Sequence, residues 1–275
     1  MCMWTKFMNT INEIPFNIAP LSRLGKNAPK KLYYCGNLML LNMPKIAIVG
    51  SRKMSVYTKN LIIKTACELK NRGICVVSGG AIGCDIAAQK AAFPYTIGIF
   101  ANGLDIIYPK ENSEQISKIY SDALAISEYE NGTCAQRWQF LERNRIVVAI
   151  SSAVIIAQAD LKSGSLNSAK TALNLGIPIF TFPHRIDESR GTNMLLAEKK
   201  AFLIDDVMKF ADKICDKLGV QNFQTSLNSV PKDEILEFVK YNNDLNSALL
   251  KFGDLIYEYE LAGKIEIMGT KVMVK

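Results

Sequence analysis

Seven short apolar runs punctuate the middle of the chain, at residues 45–50, 74–79, 96–101, 123–129, 153–159, 177–183 and 201–206. They are rich in Ile and Val and mostly continuous rather than alternating, which is how strands buried on both faces of a sheet read. Between most of them the apolar period lengthens to that of a helix. Residues 58–73 place Leu61, Ile62, Ala66 and Leu69 on one stripe and end on Gly73, a residue suited to a helix C-terminus. Residues 81–92 and 165–176 read the same way. This alternation predicts an α/β fold, a Rossmann-like, doubly wound and mostly parallel sheet spanning 45–218.

The flanks depart from that rhythm. Residues 1–44, with the basic stretch Lys26–Lys31 and the pair Tyr33-Tyr34, predict an N-terminal extension packed on the main domain. Residues 219–231 are polar and read as a linker. Beyond them, 232–275 predict amphipathic helices followed by two strands around Gly269-Thr270, the outline of a small winged-helix-like domain.

Charge sharpens the picture. The net charge is +7, yet residues 226–275 hold six Lys against eight Asp and Glu, leaving 27 basic and 18 acidic groups in residues 1–225. The positive excess belongs to the large domain, a bias that favours a polyanionic partner. No apolar run reaches the ~18 residues that span a bilayer. The N-terminus has neither the apolar core nor the cleavage site of a secretory signal, so a cytoplasmic protein is expected. Seven cysteines without a C-x-x-C pair fit a reducing compartment and predict no zinc site.

In an open α/β sheet, ligands bind beyond the carboxyl ends of the strands, where loops lead into helices. Four such loops are candidates. After the first run, Gly50, Ser51, Arg52, Lys53 and Ser55 combine a tight turn, hydroxyl caps and a guanidinium fork suited to phosphate. After the second come Ser78, Gly79, Gly80, Ala81 and Gly83, a glycine-rich turn that brings backbone close to a ligand; Asp85 behind it would cap or orient the loop. This turn has G-x-x-G without G-x-G-x-x-G or G-K-[ST], so nucleotide-cofactor readings are weak. The third is the segment Arg137–Arg145, where Arg137 and Phe140 share a helical face and suit a phosphate and a stacked base, with Arg143, Asn144 and Arg145 following. Arg143 and Arg145 diverge on a helix, one toward a pocket and the other toward the protein's own carboxylates. The fourth, Ser163, Gly164 and Ser165, opens a helix with small hydroxyl residues. Taken singly, each has a plainer reading: a strand-to-helix turn, or a solvated basic helix with Phe140 in the core.

Catalytic groups are scarce. The single histidine, His184, ends a strand next to Pro183, no G-x-S-x-G elbow is present, and no cluster has metal-ligand spacing. Four anion-seeking loops without an evident nucleophile or base predict binding rather than turnover, with no cofactor and no metal.

These four motifs, in this order, resemble the DNA-processing protein A family (DprA, also called Smf): G-S-R-K-M-S, S-G-G-A-I-G-C-D, F-L-E-R-N-R and S-G-S-L-N-S-A, with N-G-L-D-I-I-Y-P-K-E-N at 102–112 and G-T-N-M-L-L-A-E-K-K-A-F-L-I-D-D at 191–206. The resemblance covers about residues 44–206. It implies a protein that binds and protects single-stranded DNA during natural transformation, loads the RecA recombinase onto it, forms homodimers, lacks catalytic activity and takes part in competence and DNA recombination. It implies that Gly50, Ser51 and Arg52, the Ser78–Gly83 loop, Arg137, Phe140, the Arg143-Asn144-Arg145 motif and Ser163–Ser165 belong to the DNA pocket. Cys84, Gln158 and His184 depart from the family's usual residues without removing a phosphate-seeking group. The acidic C-terminal domain suits a protein-facing role. The alternative is a nucleotide-processing enzyme of phosphoribohydrolase type on a related sheet. That family carries P-G-G-x-G-T-x-x-E, whereas this chain has S-G-S-L-N-S-A-K-T-A without the glutamate.

Overall fold

All seven predicted apolar runs form strands. In the computed structural model, which describes residues 10–220, 234–252, 255–261 and 263–274, they are β3 (Lys45–Val49), β4 (Cys75–Ser78), β5 (Thr96–Phe100), β6 (Leu124–Ser127), β7 (Ala153–Ile156), β8 (Ile179–Thr181) and β9 (Phe202–Leu203). They are parallel, and within a nine-stranded sheet they run β6-β5-β4-β3-β7-β8-β9. The chain winds outward from β3 to β6, returns, and winds outward the other way from β7. The order therefore reverses between β3 and β7, where Ile46 pairs with Ala153 and Val49 with Ile156.

The first two strands come from the N-terminal extension. β2 (Tyr33–Gly36) lies antiparallel to β6, and β1 (Asn12–Glu13) is antiparallel to β2. Ile14, Leu21, Leu32, Cys35 and Leu40 bury into the main core. The extension thus completes one sheet edge rather than resting on the domain as a separate layer.

Alternate residues of each central strand serve opposite cores. Ile46, Ile48, Val76 and Ile155 face one side, with α1 (Val56–Asn71), α2 (Cys84–Ala92) and α7 (Val207–Leu218) packed there. Ala47, Val49, Val77 and Val154 face the other, against α3 (Ser113–Asp122), α4 (Arg137–Ala149) and α5 (Gly164–Asn174). Helices on both faces explain the unbroken apolar runs.

Helix boundaries follow local chemistry. α1 begins at residue 56, two residues before the apolar period suggests, because the Ser55 hydroxyl accepts from the Thr58 N–H at 3.2 Å. α2 begins at Cys84, later than residue 81, because the glycine turn before it is not helical. Asp206, placed by the sequence in a strand, instead caps α7, accepting from the Lys209 N–H at 3.0 Å.

The chain divides into two units, Met1–Gln221 and Asn222–Lys275. Most of the predicted linker, from residue 221 on, lies outside the described residues. The second unit holds helices Glu234–Tyr241, Leu245–Phe252 and Leu255–Leu261 and the antiparallel hairpin β10 (Ile265–Met268) and β11 (Lys271–Val274), joined by the two residues Gly269-Thr270. Ile235, Val239, Ala248, Ile256, Ile265 and Val272 form its own core. Among the described residues no helix is long and apolar enough to cross a membrane.

Candidate nucleic-acid interface

The reversal of strand order between β3 and β7 splays the loops that follow these strands, and a cavity of about 650 Å³ opens there. It is lined by Gly50, Ser51 and Arg52 after β3, Ala81 after β4, Arg137, Phe140, Arg143 and Asn144 of α4, and Ser163, Gly164 and Ser165 at the start of α5. Residues from all four sequence loops thus meet in one place.

Each loop is fixed by specific bonds. The Ser51 N–H donates to the Gln158 carbonyl at 2.8 Å, and the Gln158 side chain accepts from the Ser55 N–H at 3.0 Å. Gln158 therefore ties the loop after β3 to the end of β7. Ser51 closes its own turn, its hydroxyl accepting from the Lys53 N–H at 3.0 Å. Ser163 caps α5 by accepting from the Leu166 N–H. The Gly164 and Ser165 N–H groups lie in the first turn of α5, where no intrahelical carbonyl faces them, an arrangement that attracts anions.

Arg52 is held over the Phe140 ring, its guanidinium carbon 5.4 Å from the ring centroid. Tyr108, which also lines the cavity, packs on the same ring at a centroid distance of 5.8 Å. Arg137 is exposed and Phe140 half-buried, and both reach the cavity from the first turn of α4.

Beneath the cavity two buried groups of opposite charge face each other. The Asp85 carboxylate accepts from the Gly79 N–H at 3.2 Å and is also hydrogen-bonded by the backbone of Ala81 and Gly50. It gathers the loops after β3 and β4 onto one acceptor, the orienting role its position suggested. Arg143, 2% exposed, faces it and donates to the Ile99 carbonyl. Burial raises the Asp85 carboxyl above its ordinary value, opposed by Arg143 and by those backbone donors. Burial likewise lowers Arg143 to about 10, opposed by Asp85.

Several predicted residues stand behind the cavity rather than on it. The Ser78 hydroxyl is buried and donates to the Ile48 carbonyl at 2.6 Å. Gly79 lies against the Arg143 guanidinium, where a side chain would not fit. The Gly80 carbonyl accepts from Asn112 at 2.9 Å, and Gly83 caps α2. Lys53 and Ser55 continue the first loop without lining the cavity.

Arg145, also placed in the DNA pocket by the resemblance, does not line this cavity. It turns to a separate groove of about 550 Å³, where it forks onto Glu128 at 2.6 and 2.7 Å and donates to the Asn27 carbonyl at 2.8 Å. Burial works against its charge, but Glu128, together with Glu142 and Tyr129, more than offsets this and holds the guanidinium above its usual value. That groove sets Lys26, Lys30 and Lys31 against Glu128, Glu130 and Glu142, which cancels most of its pull on an anion.

The sequence reading passed over Tyr108, Trp138 and Leu141, all in the cavity lining. The aromatic pair in R-W-Q-F was the available signal. Among the described residues no group of His, Cys, Asp or Glu is placed to hold a metal ion. His184 bonds the Ala157 carbonyl at 2.8 Å, away from the cavity.

The model of the DNA recombination-mediator protein A family matches residues 10–215, which include every residue lining this cavity. The chain belongs to that family. Among relatives of the DNA recombination-mediator protein A family, DNA processing protein DprA of Streptococcus pneumoniae is 38% identical over 177 residues, 62% of each chain. DprA of Bacillus subtilis is 37% identical over 201 residues, 71% of this chain and 66% of the relative. The chain thus spans 62% of the length of the pneumococcal protein. Among solved structures, DNA processing protein A from Helicobacter pylori, described for its single-stranded DNA binding mode, superposes with a TM-score of 0.76 at 41% identity, covering 77% of this chain and 99% of that one. The S. pneumoniae DprA structure gives 0.67 at 35% identity, covering 74% and 73%.

Proposed function

We propose that the cavity between the β3 and β7 loops holds single-stranded DNA by its phosphates, and that the chain protects incoming strands during natural transformation and delivers them to the RecA recombinase. The convergence of Arg52, Arg137, Asn144 and the α5 N-terminus in one cavity carries this reading. Flexible strands are held by such a combination of cations, backbone donors and aromatic rings. The H. pylori protein described for single-stranded DNA binding is among the relatives most like this chain in fold.

Arg52→Ala and Arg137→Ala are each expected to weaken binding of a poly-dT oligonucleotide by about 10- to 100-fold, the worth of one charge-assisted contact. The loss should be similar for other base sequences. The log–log salt slope should become shallower by about 0.7 for each phosphate contact removed. Wild-type affinity in both variants would overturn the assignment.

Binding without turnover is supported by the state of the acids. Asp85 is the one carboxylate in the cavity lining, and it is committed to backbone donors and Arg143. The helix behind Ser163 offers no glutamate for phosphoribohydrolase chemistry. Incubation with AMP should release no adenine.

Homodimerisation in the cytoplasm completes the reading. Strand β9 is a sheet edge with Phe202 64% and Leu203 48% exposed, an apolar rim that a second copy would cover. Leu203→Lys is expected to shift the mass in light scattering from dimer to monomer. Delivery to RecA would appear as faster recombinase filament growth on an oligonucleotide pre-bound by this protein.

A further inference from the structure

The cavity has two chemically different walls. One is built for anions, with Arg52, Arg137 and the hydroxyl-rich start of α5. The other is apolar. Trp138 and Leu141 stand three residues apart on α4, on one helix face, and are 55% and 48% exposed although both line the cavity.

Phe140 is the aromatic that the sequence nominates for stacking, but its ring is already engaged by Arg52 and by Tyr108. It serves as the rest on which the phosphate-seeking guanidinium lies. Trp138 is placed differently. Its indole N–H donates to the Gln136 side chain at 2.8 Å, and its ring meets Tyr129 edge-on, with centroids 6.4 Å apart and planes at 82°. Two contacts fix the ring while more than half of the residue stays open. A large apolar side chain held in a set orientation beside a phosphate site, yet left uncovered, has the properties of a platform for a flat apolar ligand.

We propose that Trp138 is the base-stacking residue of the cavity, with Leu141 as its side wall, so that a bound strand turns its phosphates to Arg52 and Arg137 and a base to the indole. This rests on the single-strand reading and adds to it a site that sees nucleobases.

The test compares a dT oligonucleotide with an abasic phosphodiester chain of equal length, which offers the same charges and no bases. Trp138→Ala should lose about 5- to 150-fold in affinity for dT, the range of one base stacked on an aromatic ring. It should bind the abasic chain as wild type does. Trp138→Phe should recover most of the dT affinity, which a merely structural defect would not allow. The chain has one other tryptophan, Trp4, so in a Trp4→Phe background the emission reports Trp138 alone. That emission should be quenched by dT and not by the abasic chain. If Trp138→Ala binds dT as wild type while Arg52→Ala does not, the stacking role falls and the phosphate pocket stands. A wild-type protein that binds neither chain would remove the single-strand reading itself.

Discussion

Replacing Arg143 with methionine is expected to cost about 3–5 kcal/mol of unfolding free energy near neutral pH, because it strands a buried carboxylate. In a chain of this size that corresponds to a fall in Tm of roughly 6–20 °C. The methionine fills much of the volume, so the loss reports charge and hydrogen bonding more than a cavity. Asp85 would keep its backbone donors but lose the guanidinium opposite, and the Ile99 carbonyl would lose the hydrogen bond it accepts from Arg143. The sign of the pH dependence follows. Burial already raises the Asp85 carboxyl above its ordinary value, and removing Arg143 raises it further. A group whose value is raised on folding contributes its full stability below the unfolded value and loses it as the pH climbs through the folded one. The deficit of the variant should therefore be largest near pH 7 and shrink as the pH falls toward the carboxylate range. Urea titrations of both proteins across that interval give the answer, and a constant deficit would mean that the two groups are not coupled.

Gly83→Ala is the second large effect. Gly83 has φ 91°, a conformation that side chains disfavour, and its added carbon would lie 2.7 Å from the Arg52 Cα. Backbone, not a flexible side-chain tip, would have to move. Strain and overpacking together predict a loss on the order of 4 kcal/mol. The displaced segment is the one carrying Ser51 and Arg52, so affinity for dT should drop with it. Gly176→Ala is the control, since Gly176 has φ 65° but nothing within 4 Å of the added carbon. It should cost only about 1 kcal/mol and leave binding intact. Equal losses in the two variants would show that conformation, rather than contact with Arg52, governs the site.

The parallel strands were legible because burial on both faces writes itself as unbroken Ile and Val. The strands of the extension were not. Asn12 and Glu13 are polar and exposed, and Tyr33–Gly36 is a short segment whose place beside β6 depends on residues about ninety positions away. At the site, local chemistry announced the loops. Spacing told that Arg143 and Arg145 part company, but not which one goes inward. Glu128 pairs with Arg145, whereas Arg143 bonds the Ile99 carbonyl and faces Asp85, and these partners lie on other elements of the chain. The same limit hid the pairing of Arg52 with Phe140, which leaves Trp138 as the open ring.

Every residue that lines the cavity falls between Val49 and Ser168. The proposed grip is therefore written in one uninterrupted passage of the gene, and the strands β1 and β2 that precede it add no residue to the lining. Changes confined to those two strands would leave the sequence of the proposed site untouched. A chimera that inherits this passage on an intact sheet is expected to inherit the proposed grip with it.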